Sequence, residues 1–158
     1  MNNRHHQIKL LVLDVDGVLT DGGMYYSNSG DEFKKFNTKD GMGIKLAIES
    51  GIKVGFLSNG KNDVLIKNRA ALLGVEFVYV GADNKLAVLK QWMHDLQIEF
   101  DNIAYIGDDI NDLEIMDNVE FNACPLDAVP KVKMVAKYLL DAKGGEGCVR
   151  EFIDNHLL

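Results

Sequence analysis

Ile8-Lys9-Leu10-Leu11-Val12-Leu13-Asp14-Val15-Asp16-Gly17-Val18-Leu19-Thr20-Asp21-Gly22 is the stretch that decides the fold. Its apolar run from Leu10 to Leu13 has no polar alternation, which suits a strand covered on both faces, as in a parallel sheet. The run stops at two acids spaced D-x-D. Carboxylates at the end of a buried strand are costly unless something compensates them. Two like charges ~4 Å apart repel by about 4 kcal/mol at an effective dielectric of 20. A hard divalent cation held by oxygen ligands, such as magnesium, is the usual compensation. Taken alone, the pair would equally suit an exposed acidic turn.

Outward from this stretch, short β-branched runs alternate with helix-length amphipathic ones. Strands are predicted at 8–13, 52–57, 77–80, 103–106, 119–122 and 138–140, and helices at 43–49, 62–73, 85–96, 111–116, 129–135 and 149–156. Gly51 and Gly74 fall where helix C-caps belong. The alternation predicts right-handed βαβ units, and hence an α/β, Rossmann-like three-layer sandwich with a mostly parallel sheet. Residues 1–158 read as one domain. One segment breaks the rhythm: residues 23–36 predict a β-hairpin turning at Asn28-Ser29-Gly30. Following the first strand, it is placed as a flap over a ligand crevice.

Composition bounds the function. Seventeen basic against 24 acidic residues leave a net charge of −7, which disfavours a nucleic-acid partner. A phosphorylated substrate remains open, because a bound metal reverses the local sign. Cys124 and Cys148 fit no C-x-x-C pattern, so zinc and disulfide frameworks are disfavoured and a reducing cytoplasm is expected. The run at 8–13 is too short for a membrane span or a signal sequence. His5 and His6 are given no function.

Three further polar sites sit at predicted strand ends. Ser58 closes the second strand, Lys85 opens the helix after the third, and Gly107-Asp108-Asp109-Ile110-Asn111-Asp112 follows the fourth. Singly these would be an N-cap, a solvated lysine and a capping turn. A parallel sheet puts all of them on one edge with Asp14 and Asp16. The chemistry they share is phosphoryl transfer. Asp14 is positioned to attack phosphorus as a carboxylate nucleophile. Asp16 serves as general acid and then as base for water. Ser58 and nearby amides bind phosphoryl oxygens and Lys85 neutralises them. Asp14, the Asp16 carbonyl and Asp108 make the magnesium site, with Asp109 and Asp112 behind it orienting Lys85 and the metal waters. None of the four histidines lies in these segments, which disfavours histidine phosphatase chemistry.

In order, these four motifs resemble those of the haloacid dehalogenase superfamily. The intervals Asp14–Ser58 and Lys85–Asp108 leave no room for a separate cap domain. The hairpin, Phe36-Asn37-Thr38-Lys39-Asp40-Gly41-Met42-Gly43-Ile44 and the late Gly144-Gly145-Glu146-Gly147-Cys148-Val149-Arg150 are similar to the capless 3-deoxy-ulosonate phosphate phosphatases. That resemblance implies a magnesium-dependent homotetramer acting on a small sugar acid phosphate. Neighbouring subunits would close the site with flap and tail, Arg150 reaching across on a glycine-rich, extendable segment. It also implies substrate contacts from Thr38, Asn59 and Arg69. The 40–44 stretch favours 3-deoxy-D-manno-octulosonate 8-phosphate. The hairpin is as similar to the phosphatases of nine-carbon sialic-type acids, which stay the alternative. Asn59-Gly60-Lys61 departs from the Gly-Arg usual in the octulosonate enzymes. A non-catalytic assembly domain is disfavoured because both acids of D-x-D are intact. A receiver domain of two-component signalling is disfavoured because its acids are adjacent.

Overall fold

The structure, a computed structural model, describes residues 8–158, so His5 and His6 lie outside the described residues. Six parallel strands form one sheet, in the spatial order Phe77–Val80, Lys53–Ser58, Leu10–Leu13, Ile103–Ile106, Phe121–Cys124 and Tyr138–Leu139. They are β1 (Leu10–Leu13), β4 (Lys53–Ser58), β5 (Phe77–Val80), β6 (Ile103–Ile106), β7 (Phe121–Cys124) and β8 (Tyr138–Leu139). The helices are α1 (Thr38–Glu49), α2 (Asp63–Leu73), α3 (Lys85–Leu96), α4 (Leu113–Asn118), α5 (Pro130–Val135) and α6 (Cys148–His156). The hairpin strands β2 (Tyr25–Tyr26) and β3 (Glu32–Phe33) pair antiparallel, apart from the main sheet.

The pleat of β1 builds both cores. Leu11 and Leu13 face Ile44, Ile66, Ala70, Phe152 and Ile153 of α1, α2 and α6. Leu10 and Val12 face Leu89, Trp92, Ile115 and Val132 of α3, α4 and α5. With both faces covered, β1 is wholly buried, as its unbroken apolar run requires. The expected three-layer architecture is therefore present. The chain order reverses at β1, which has β4 on one side and β6 on the other. Ligands in open α/β folds bind at the carboxyl ends of strands at such a point.

Two local expectations are corrected. Helix α1 begins at Thr38 rather than residue 43, because Asn37 caps it, accepting from Lys39 N at 2.8 Å. The tail 143–147 is a packed turn, not an extendable arm. A Cβ on Gly144 would lie 1.8 Å from the Gly17 carbonyl oxygen, and one on Gly145 2.3 Å from Asp21 N. The glycines are there because the backbone passes directly under the D-x-D loop.

Candidate active site

Asp14 leaves the end of β1 almost fully buried, its Oδ1 accepting from Val15 N and Lys85 Nζ, both at 2.8 Å. The loop after it turns on Gly17 at φ +85°. The buried Thr20 hydroxyl fixes that turn by accepting from Gly17 N and Gly22 N, each at 3.2 Å. Asp108, at the end of β6, packs against the same glycine: a Cβ there would lie 1.9 Å from Asp108 Oδ2. Only a residue without a side chain allows Asp108 this close.

Asp112 is fully buried behind them and carries four donors. Lys85 Nζ, at 2.8 Å, and the Tyr105 hydroxyl share its Oδ1. Asp108 N and Asp109 N reach its Oδ2 at 2.9 and 3.2 Å. Tyr105 lies in the middle of β6 and nothing in its surroundings in the sequence signals this role. Burial pushes its hydroxyl well above the ordinary value, with the Asp112 and Asp14 charges adding to it, so it stays a donor. Burial works to lower the Lys85 ammonium, but Asp14 and Asp112 outweigh it and raise it.

Oxygens of Asp14, Asp108 and Asp112 lie within 4.8 Å of one another. Burial, followed by the Asp112 charge, holds Asp14 well above the usual carboxylate range in spite of Lys85. Burial likewise pushes Asp108 up to about 6, the hydrogen bond with Asp14 working against it. Asp108 Oδ1 is buried with no hydrogen-bond partner. A buried anionic oxygen without a donor, in an all-oxygen cluster, fits a hard divalent cation. Asp108 offers the free oxygen, with Asp14 beside it. Asp112, with both oxygens engaged, stands behind them.

These shifts set a pH dependence for the metal-free protein. Raised carboxyl groups bind protons more tightly in the folded chain than in the unfolded one. Stability is then lost as pH rises from the ordinary 3.8 to about 6, the folded value of Asp108. Asp40 is raised by burial and acts in the same direction, while the lowered Asp21, Glu32 and Asp63 work the other way, adding stability as pH rises to their ordinary values of 3.8, 4.5 and 3.8. Melting in chelator is expected to give a lower Tm at pH 7 than at pH 5, with the gap narrowed in Asp108→Asn. A metal-free Tm that climbs between pH 5 and 7 would contradict the strained pair.

The remaining expected residues divide. Ser58 is buried at the end of β4 and its Oγ accepts from Gly60 N at 3.0 Å. The Asp16 Oδ1 meets Lys34 Nζ of the hairpin at 2.7 Å. Thr38 is exposed in the first turn of α1. Asp109 does not orient Lys85; its carboxylate caps its own turn, accepting from Ile110 N at 2.7 Å. Asn59 is taken up in joining loops, donating to Gly81 O and Asp83 O at 2.8 and 3.0 Å. Arg69 donates to Asn37 O at 3.3 Å and lies 5.4 Å over the Phe36 ring. Arg150 has two partners in this chain. Its guanidinium meets Asp154 at 2.7 Å and its backbone N–H donates to Asp40 at 2.9 Å. These last three side chains each have a partner within the chain.

The haloacid dehalogenase-like hydrolase family matches residues 73–153. A 3-deoxy-D-manno-octulosonate 8-phosphate phosphatase of Escherichia coli K12 is 42% identical over 96% of this chain and 80% of its own length. The chain belongs to the 3-deoxy-D-manno-octulosonate 8-phosphate phosphatase family. Solved structures agree with this membership. That of the Yersinia pestis phosphatase has a TM-score of 0.91 at 39% identity, covering 96% of this chain and 81% of that one. The Moraxella catarrhalis phosphatase, in complex with a magnesium ion, a phosphate ion and KDO, has a TM-score of 0.91 at 33% identity, covering 96% and 86%. Family membership brings the expected superfamily fold and phosphatase activity with it.

Proposed function

We propose that the protein is a magnesium-dependent phosphatase of 3-deoxy-D-manno-octulosonate 8-phosphate, working through a phosphorylated Asp14. The observation that carries the chemistry is the buried Asp14–Lys85–Asp112 chain beside an Asp108 oxygen that has no partner. The substrate is supported by likeness to relatives along nearly the whole chain.

Asp14 attacks phosphorus while the ester oxygen departs with a proton from Asp16. Water then attacks the aspartyl-phosphate. Asp16 takes the water's proton, and inorganic phosphate leaves with Asp14 restored. Ser58 and the amides of its loop hydrogen-bond the phosphoryl oxygens, and the Lys85 charge offsets theirs. Asp14, Asp108 and the Asp16 carbonyl would hold magnesium, which lowers the repulsion between an anionic nucleophile and an anionic phosphoryl group. Thr38 would meet the sugar acid.

A homotetramer is supported by Met24, Tyr26 and Phe33, apolar hairpin residues each more than half exposed. A cytoplasmic location is supported by two buried free thiols, Cys124 and Cys148. The test is phosphate release from octulosonate 8-phosphate, a nine-carbon ulosonate 9-phosphate and hexose phosphates, with and without chelator. Expected is a kcat/KM at least about tenfold higher on the octulosonate ester, the discrimination that roughly 1.4 kcal/mol of contact supplies. A preference for the nine-carbon or hexose esters would overturn the substrate, and turnover undiminished by chelator would overturn the metal.

A further inference from the structure

We propose that Lys34, on the returning strand side of the hairpin, is a positioning residue for Asp16. It pins one carboxyl oxygen so that the other faces the oxygen that leaves phosphorus. The inference rests on the reading of Asp16 as proton donor. The Asp16 side chain is 45% exposed, so left to itself it would sample several rotamers. Lys34 Nζ holds its Oδ1 at 2.7 Å, and the lysine side chain is only 7% exposed. The other oxygen, Oδ2, lies over the serine loop. A Cβ built on Gly60 would sit 3.2 Å from Asp16 Oδ2 and 3.1 Å from Ser58 Oγ. Pinning Oδ1 thus leaves Oδ2 beside the residues that would bind the phosphoryl group.

Lys34 is anchored in turn. Its ammonium also meets Glu32 Oε1 at 3.2 Å, and the Asn62 side chain helps to lower the Glu32 carboxyl. Asn62 stands at the start of α2, where its side chain makes no capping bond to the helix. The series Glu32–Lys34–Asp16 ties the hairpin to the loop after β1. Exposed ion pairs contribute little because two long side chains must be ordered in water. Here the lysine is desolvated and held from two sides. The flap therefore supplies a cation that fixes the geometry of the acid, in addition to covering the crevice.

The test separates positioning from mere folding by leaving group. A sugar alkoxide needs a proton to depart, whereas 4-nitrophenolate does not. Wild type, Lys34→Met, Lys34→Arg and Asp16→Ala are compared on octulosonate 8-phosphate, phenyl phosphate and 4-nitrophenyl phosphate. In Lys34→Met, kcat on the sugar ester is expected to drop roughly 10- to 100-fold, the scale of an ångström of misplacement. The loss on 4-nitrophenyl phosphate is expected to stay under about threefold, and Lys34→Arg should recover most of the sugar-ester rate. Equal losses on both esters, or none on the sugar ester, overturn the proposal. If Asp16→Ala itself shows no leaving-group dependence, the proton-donor reading falls and takes this one with it. If Asp16→Ala shows it and Lys34→Met does not, this proposal alone falls. Should the sugar ester not be a substrate, phenyl against 4-nitrophenyl phosphate gives the same contrast. Lys34→Gln is read in the same way if the methionine variant does not fold.

Discussion

Asp14→Asn is expected to leave a folded protein with no measurable turnover. The amide cannot attack phosphorus and is a poorer cation ligand than a carboxylate, so nucleophile and metal contact are lost together. Loss of a covalent nucleophile costs on the order of 10⁶ in kcat where it has been isolated. The fold is expected to stand because the native carboxyl is a burden there: burial and Asp112 already hold it well above its usual range. Lys85 keeps Asp112 as its counter-charge at 2.8 Å. At pH 7 without metal, the Tm of Asp14→Asn should therefore match or exceed that of wild type, while magnesium should raise it less. Rapid acid quench with labelled substrate should trap phosphate on the Asp14 peptide of wild type and none on the variant. Activity above about a hundredth of wild type would remove Asp14 from the nucleophile's role.

Where local sequence and tertiary demand agree, the fold is legible to the residue. β5, α3 and β6 span 77–80, 85–96 and 103–106, as their apolar patterns and flanking turn residues predict. Helix α1 shows where local rules fail. The sequence predicts this helix only from Gly43, leaving Gly41 and the first turn outside it. Yet a Cβ on Gly41 would lie 2.6 Å from the Arg69 guanidinium, and one on Gly43 3.0 Å from Arg150 Cδ. Long-range packing of α2 and α6 selects glycine there, and the helix tolerates the roughly 1 kcal/mol each costs relative to alanine. The two arginines differ in how legible their partners are: Arg150 pairs with Asp154 one turn on in its own helix, as the sequence spacing allows, whereas the approach of Arg69 to Asn37 and Phe36 is made only by the fold.

The site divides along similar lines. Asp14, Ser58, Lys85 and Asp108 were legible because each stands at the end of a strand or in the turn or helix start that follows one, and a parallel sheet gathers these on one edge. Lys34 and Tyr105 were not. Lys34 lies in a hairpin whose docking on the D-x-D loop no periodicity encodes. Tyr105 occupies a strand interior, where an aromatic residue ordinarily means core. Only the buried hydroxyl seeking an acceptor sets it apart.

Among the carboxylates of the site, Asp112 should be the one whose change to asparagine costs the most stability. The native carboxylate accepts from Lys85 and Tyr105 at one oxygen and from two backbone amides at the other. An amide has one oxygen and one NH₂, so one pair of donors must face another donor. The backbone N–H groups of Asp108 and Asp109 cannot turn away, which leaves the NH₂ pointing at the Lys85 ammonium. Breaking a buried ion pair in this way typically costs about 3–5 kcal/mol. Relief of Asp14, which the Asp112 charge helps to push up, returns part of that and places the net loss near the lower end. For a domain of this size about 3 kcal/mol is a fall in Tm of roughly 6–12 °C. Turnover should drop by about 10²–10³, the cost of removing one preorganised group that stabilises developing charge, since Lys85 no longer has a fixed place beside Asp14. Tyr105→Phe is the control, removing one donor of the four and leaving the ion pair; about 1 kcal/mol and a small change in kcat are expected. If Asp112→Asn melts and turns over like Tyr105→Phe, Asp112 is a turn cap whose charge the lysine does not need.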